Sequence, residues 1–571
     1  MSDHISTAIS KRLEALFEAL YGEEGSGLAR NLLDKLSAFA PDIHPPPKTL
    51  WDQQDLLLIT YGDSIRTVGA APLRTLHQFL CERLADTFSS VHILPYFPYS
   101  SDDGFAVIDY LKVNPALGDW PDIERIAIDF RLMTDLVINH VSSQHRWLQN
   151  FLQDLDPGRD YFIEVDPETD LSMVVRPRTT PLLTRFETNK GSRWLWTTFS
   201  ADQVDTNFHN PKVLFEYIDI LLAYLGRGSK LIRLDAIAYL WKEIGTPCIH
   251  LPQTHTVVKL LREMVDLVAP GTLLITETNV PHQENISYFG EGDEAQVVYQ
   301  FPLPPLVLHA FYRGDASHLT HWARNLDPPP QGCTFLNFLS SHDGIGLRPL
   351  EGLVTDQEVL DLVDGMRTLG GKASMRTRPD GSQAPYELNI SWFSAMQGTC
   401  RGKDGLGIER HLCAHAIMLA LQGIPAFYIL SLLGTENDLE GVERTGAARS
   451  INRHKWDHQA LESLLNDPNS VHRSVLSRLQ DLIRIRREQL AFHPDAHQQI
   501  HDMGPEVFVV ERICQEQTLV AVHNVTPKSH TLSVPEGEWR ELISSSRING
   551  TLDLPPYGTA WLSQSYPPPT R

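Results

Sequence analysis

Eight short runs of apolar and β-branched residues punctuate the chain: LLLIT (56–60), VHILPYF (91–97), LMTDLVINH (132–140), KLIRLDAIAY (230–239), TLLITET (272–278), QVVYQF (296–301), TFLNFLSSHD (334–343) and IPAFYIL (424–430). Most are apolar at successive rather than alternate positions, as strands buried on both faces of a parallel sheet must be. Polar or glycine-bearing residues and then a helical stretch follow each run. Eight strands alternating with helices predict an α/β fold, a (β/α)8 TIM barrel. Most runs start 24–42 residues apart, one strand–helix unit, but about 98 residues follow the third start and about 90 the seventh. These gaps predict inserted subdomains at the C-terminal face of the barrel, where active sites form. The first, 141–210, is rich in Arg, Pro and aromatics; the second, 344–400, contains RTLGGKASMRTRPDGSQAPYE.

Residues 4–39 have the period of two amphipathic helices broken at Gly22 and Gly25, and Pro45-Pro46-Pro47 separates them from the barrel. Near the other end, VFVVERI, TLVAVHNV, HTLSV and TAWLS alternate like strands of a small β-domain, and SYPPPTR reads as a tail. The expected organisation is a helical extension (1–49), three barrel segments (50–140, 211–343 and 401–489) around the two insertions, and a C-terminal β-domain with its tail (490–571).

Composition narrows the function classes. The 42% of apolar side chains together with 36 glycines make about 48%, a globular value that excludes disorder for most of the chain. A net charge of −22 argues against a nucleic-acid partner, whose phosphates such a surface repels. The six cysteines (Cys81, Cys248, Cys333, Cys400, Cys413, Cys514) show no CxxC pair and read as reduced, mostly buried thiols. The first residues have no continuous apolar core of a signal peptide, and no run of 18 apolar residues occurs. A soluble, cytoplasmic protein with no membrane partner is expected.

Candidate chemistry gathers at four predicted strand ends: Asp135, Asn139 and His140; Arg233 and Asp235; Glu277; and His342 with Asp343. A carboxylate in an apolar run must be paired, hydrogen-bonded or protonated. A single one is well explained as an ordinary buried ion pair. Three around one small site, beside two histidines, are the equipment of glycosyl transfer through an oxocarbenium-like state. His411 and His415, four apart on a predicted helix, lack an acidic partner and read as core residues rather than metal ligands.

The motifs DLVINH (135–140), RLDAIAY (233–239), ITET (275–278) and SSHDGIG (340–346), with QVDTN (203–207), resemble the signature motifs of the α-amylase superfamily. LITYGDS (58–64), VHILPYFPYSSDDGF (91–105), RPR (176–178), FPLPPLVLHA (301–310) and ARSINRH (448–454) resemble its sucrose-phosphorylase-like subfamily. TETNVP, YFGEGDEAQVVYQF and APYELN are most similar to the glucosylglycerate phosphorylases within it. The resemblance implies Asp235 as nucleophile, Glu277 as general acid/base and Asp343 as the carboxylate that grips the 2- and 3-hydroxyls of glucose. It further implies that Arg233 keeps Asp235 ionised, that His140 and His342 donate to sugar hydroxyls, that Gln203 is substrate-binding, and that Asp102 and Arg449 close the donor pocket over the 4-hydroxyl. Phe105 and Phe199 are implied as apolar walls, and Arg178 and Tyr239 as phosphate-responsive groups.

Two departures from sucrose phosphorylases fall on the acceptor side: Asn279 where those carry His, and Glu387 where they carry Gln. They argue against a fructosyl acceptor. Lys372, Arg376 and Arg378 are candidate partners for a glycerate carboxylate, whereas Glu387 could favour neutral glycerol. Asn139 matches a calcium ligand of many amylases, but the subfamily lacks that ion, so neither metal nor cofactor is expected. The substrates implied are an α-glucoside and inorganic phosphate, and the N-terminal extension could support a homodimer. The rival readings are a glucosylglycerol or sucrose (or sucrose 6'-phosphate) phosphorylase, a hydrolase or transglucosidase on the same scaffold, and a non-catalytic barrel. The last expects one of Asp235, Glu277 or Asp343 to be lost, and all three are present.

Overall fold

The eight runs become the strands of one closed parallel barrel: β1 (Leu57–Thr60), β2 (Ser90–Ile93), β3 (Arg131–Val137), β4 (Ser229–Asp235), β5 (Leu273–Thr276), β6 (Val297–Tyr299), β7 (Thr334–Phe338) and β8 (Ile424–Tyr428). Each pairs with its sequence neighbours, and β8 closes on β1 through Leu57↔Ala426. The computed structural model describes residues 7–39, 48–377, 382–534 and 536–565. The proline triplet 45–47, Arg378 and most of the C-terminal tail therefore lie outside the described residues.

Both long gaps hold insertions. After β3 come an antiparallel pair, His140–Ser142 with Gln203–Asp205, and a hairpin, Leu183–Thr188 with Gly191–Trp196. After β7 a three-stranded antiparallel sheet, ordered Ile345–Gly346, Gln383–Asn389, Lys372–Thr377, packs on the helix Asp356–Thr368. Thr355 and Glu358 form a reciprocal capping box that starts this helix.

The N-terminal helices, α1 (Thr7–Tyr21) and α2 (Gly25–Phe39), are separated by a short turn at the two predicted glycines. Leu13, Phe17 and Leu20, then Ala29, Leu32 and Leu36, form buried stripes at helical spacing. These stripes are spent on the barrel. Phe17 stacks on Phe215 at 6.0 Å, the Tyr21 hydroxyl donates to Phe208 O at 3.0 Å, and Arg12 pairs with Glu263 at 2.9 Å. At the other end a six-stranded sheet shows strand alternation: Phe508 and Val510 face the barrel core, whereas Val507 and Val509 belong to a separate small core with Trp539 and Leu554. Two wholly buried arginines tie this domain to the barrel through backbone carbonyls, Arg512 donating to Ala420 O of the barrel and Arg486 of the barrel donating to Phe492 O.

All six cysteines are free thiols, but only Cys248, Cys333 and Cys413 are buried, while Cys81 and Cys400 are exposed. The expectation of mostly buried thiols is corrected accordingly. Cys81 lies in polar sequence (FLCERL) and Cys400 beside Arg401 and Gly402, so neither sits on an apolar stripe. Among the described residues no helix is long and apolar enough to cross a membrane.

Candidate active site

The C-terminal ends of β3, β4, β5 and β7 converge on one pocket, and strand register decides which side chains meet. Asp135 on β3 is the register partner of Arg233 on β4, and Val137 that of Asp235. Arg233 therefore donates from one nitrogen to Asp135 Oδ1 and Asp235 Oδ1, each at 2.6 Å, and stands 4.0 Å from Glu277 Oε2. His92 on β2 holds the second oxygen of Asp135 at 2.6 Å. The guanidinium also lies 5.6 Å from the Phe105 ring and 5.8 Å from that of Tyr299. After Asp235 the backbone enters the left-handed region at Ala236, φ +54°, which costs about 1 kcal/mol for a residue with a Cβ. This bend directs the Ala236 N–H to Glu277 Oε2 at 3.3 Å.

Electrostatics separate the carboxyls. Asp135 is held at about 2: burial pushes it up, but His92 and Arg233 more than reverse that. Burial raises Asp235 and Glu277, with Arg233 opposing both; the Glu277 charge adds to the rise of Asp235, and the Asp343 charge to that of Glu277. The two titrate together. The proton they hold belongs on Glu277, because Arg233 donates to Asp235 at 2.6 Å and reaches Glu277 only at 4.0 Å. Asp343 is also raised by burial, yet Arg449, His342 and Arg453 hold it well below the carboxylate range.

On the sugar side His140 donates to Phe105 O at 3.0 Å, and Gln203 donates to Asp102 Oδ2 at 3.3 Å. The Phe105 ring stacks on His342 at 4.9 Å, and Phe199 lies 5.2 Å from His140. Burial lowers both histidines, His342 to about 3, so both are neutral near pH 7.

Asp102 and Arg449 line the same pocket, and the Asp102 charge acts on Arg449. Arg449 contacts Asp343 and takes a two-pronged grip on Glu387, Nε at 3.1 Å and Nη2 at 2.7 Å. The Glu387 side chain is only 3% exposed, and such a carboxylate requires this partner. Its charge is therefore neutralised rather than presented to an acceptor. Gly344 and Gly346 make room for this arrangement: a Cβ on Gly344 would come within 2.4 Å of Glu387 Cγ, and one on Gly346 within 2.7 Å of the Asn279 amide.

Arg178, Asn279 and Tyr386 complete the opposite wall. Arg178 has no ion-pair partner among the described residues, and Asn279 Oδ1 is buried without a hydrogen bond. Tyr239 packs edge-on to Phe199 at 5.4 Å. Burial pushes its phenol up, as does nearby Tyr386, while Arg348 and Arg178 pull it back. Arg348 follows the Ile345–Gly346 strand; among the described residues its buried Nε has no hydrogen-bond partner, and Glu284 is the carboxylate paired with it, at 3.8 Å. The loop cations Lys372 and Arg376 are not among the described lining residues, Lys372 being exposed and Arg376 paired with Glu351.

The calcium ligand of many amylases has a different use here. Asn139 Oδ1 and Asp205 Oδ2 each lie 2.6 Å from the buried Lys242 ammonium. With that fixed cation in place, these oxygens do not fit a calcium ion. His411 and His415 are core residues on the helix Gly407–Ala420, His411 donating to Ser431 O at 3.0 Å.

His92, Tyr299, Tyr386, Arg453 and Arg348 escaped the sequence reading. His92 and Tyr299 had a usable signal, being polar groups inside apolar strands. Tyr386 and Arg453 stood inside quoted motifs, APYELN and ARSINRH, without being singled out. Arg348 had none.

A family model described as the catalytic domain of α-amylase matches residues 87–343. A glucosylglycerate phosphorylase of Allomeiothermus silvanus is 47% identical over 545 residues, 95% of this chain and 96% of the relative. One of Escherichia coli is 44% identical over 90% of this chain and 93% of the relative. The crystal structure of sucrose 6F-phosphate phosphorylase from Thermoanaerobacter thermosaccharolyticum superposes with a TM-score of 0.72 at 27% identity, covering 83% of this chain and 94% of that one. The chain belongs to the α-amylase superfamily, within its sucrose-phosphorylase-like group of glycoside phosphorylases.

Proposed function

We propose that this protein is a retaining glucosylglycerate phosphorylase, which interconverts 2-O-α-glucosylglycerate plus phosphate with α-D-glucose 1-phosphate plus glycerate. The observation that carries the phosphorylase chemistry is Arg178, an unspent cation facing a pocket otherwise rich in carboxylates. The relatives named glucosylglycerate phosphorylases, matched over nearly their whole length, support the acceptor.

In the first step Asp235 attacks the anomeric carbon while Glu277 gives its proton to the departing glycerate oxygen, leaving a β-glucosyl-enzyme. In the second, a phosphate oxygen attacks the same carbon, its proton passes to Glu277, and the bond to Asp235 breaks. Two inversions give net retention. Asp343, His140 and His342 hold the sugar hydroxyls. Arg178 and Tyr239 steady the phosphate so that it outcompetes water. Arg348, whose charge acts on Tyr239, is the candidate partner for the acceptor carboxylate.

Incubation with α-glucose 1-phosphate and a panel of acceptors, following phosphate release, tests the reading. Release with glycerate far above that with glycerol or fructose is expected. Preference for glycerol would overturn the acceptor, and hydrolysis of aryl α-glucosides without phosphate release would overturn the phosphorylase.

A further inference from the structure

Outside the described pocket lining, three side chains able to ligate a metal meet on separate helices. His309 lies on the helix Leu303–Arg313, His318 on the helix Ser317–Arg324, and Glu358 on the helix Asp356–Thr368 of the second insertion. Glu358 Oε1 is 3.3 Å from His318 Nε2 and 3.8 Å from His309 Nε2. All three ligand atoms lie within 4.8 Å of one another. The edge of a tetrahedron of nitrogen and oxygen ligands around zinc is about 3.3 Å, so small rotations suffice.

His309 is the telling residue. It is 2% exposed, and neither of its ring nitrogens has a hydrogen-bond partner. A buried polar group without a hydrogen bond is costly, and a bound ion would recover that cost. Burial lowers its pKa to about 4, so near pH 7 the ring is neutral and carries a free lone pair. The Thr355 hydroxyl helps to hold Glu358 at about 2, and capping occupies Oε2, leaving Oε1 for the histidines. The nearby cation Arg313 is drawn toward Asp361 at 3.7 Å.

We propose that His309, His318 and Glu358 bind a zinc-like divalent ion that clips the second insertion to the barrel. Two imidazoles and one carboxylate supply three ligands. The side chains of His318 and Glu358, 33% and 24% exposed, leave a fourth position open to water. The helix so clipped carries the strand Gln383–Asn389, which brings Tyr386 and Glu387 to the pocket. The ion would therefore fix the lid of the site without touching substrate.

The test uses the full chain, stripped with chelator and titrated with Zn2+, and with Co2+ as a spectroscopic probe. One ion per chain, visible d–d bands of four-coordinate Co2+ and a Tm rise of about 2 °C at a hundred-fold excess over Kd are expected. Glu358→Gln and His318→Ala should each lose the bands and the Tm rise while melting in chelator as the parent does; should one fail to fold, the other decides. His77→Ala, which dismantles the exposed His77–Cys81–Asp129 group, should keep both signals. Absence of stoichiometric binding would overturn the proposal. So would signals that persist in both ligand variants, or that vanish with His77→Ala.

Discussion

At the residue scale the pocket is organised by charge, and each charge has a measurable consequence. Asp235→Asn should abolish phosphorolysis and α-glucose 1-phosphate formation alike, because both directions pass through the same covalent bond. Glu277→Gln should be selective. Turnover of glucosylglycerate, whose leaving oxygen needs a proton, should fall about 10²–10⁴-fold, and more than glucosyl transfer from α-glucose 1-phosphate, which has the better leaving group. Since burial and Asp343 raise the Glu277 pKa, kcat in phosphorolysis should decline as pH climbs through that value. The Gln variant should lack this basic limb; an unchanged pH profile would remove Glu277 from the acid role. Arg348→Gln should raise KM for glycerate about tenfold or more, the worth of a charge-assisted hydrogen bond, with kcat for hydrolysis unaltered. Equal losses in both would assign Arg348 to the scaffold instead. Lys242→Met leaves Asp205 buried without its ammonium, and a penalty of about 3–5 kcal/mol is expected, read as a fall in Tm that added calcium does not repair.

At the element scale, legibility in the sequence followed burial. All eight barrel strands stood out because strands covered on both faces must be apolar throughout, and LLLIT or IPAFYIL has few other readings. The two insertions were visible only as gaps in spacing. Their hairpin Leu183–Thr188 with Gly191–Trp196 is partly exposed on both faces, so no period betrays it. The same holds within the pocket. Asp235, Glu277 and Asp343 were conspicuous as carboxylates ending apolar runs, whereas the Glu387–Arg449 pairing joins residues 62 apart and depends on how a sheet outside the barrel folds back. The N-terminal helices illustrate a pattern whose period is legible in the sequence while the surface it packs on is not. Their stripes meet Phe215 and the helix Pro252–Val268. Removing residues 1–39 should therefore uncover barrel helices, lowering Tm by about 3–6 °C while changing kcat less than about twofold. A truncated protein that melts like the parent would show the extension to be an appendage.

At the scale of the whole molecule the net charge of −22 opposes the two anions the pocket must admit. The opposition is long-ranged and lies in solvent, so salt screens it with a Debye length of about 10 Å at 0.1 M. The attraction is short-ranged: the charges of Arg178 and Arg348 both act on Tyr239 from half-buried positions, where screening is weaker than in open solvent. Salt should accordingly remove more of the repulsion than of the attraction. Raising an inert salt from about 10 to 150 mM should increase kcat/KM for glycerate, at saturating α-glucose 1-phosphate, by roughly twofold. Hydrolysis of the glucosyl-enzyme, whose acceptor is uncharged, should not respond. A fall in kcat/KM with salt would mean that the arginines already dominate the field at a distance. The acidic surface would then have no part in setting how anions arrive.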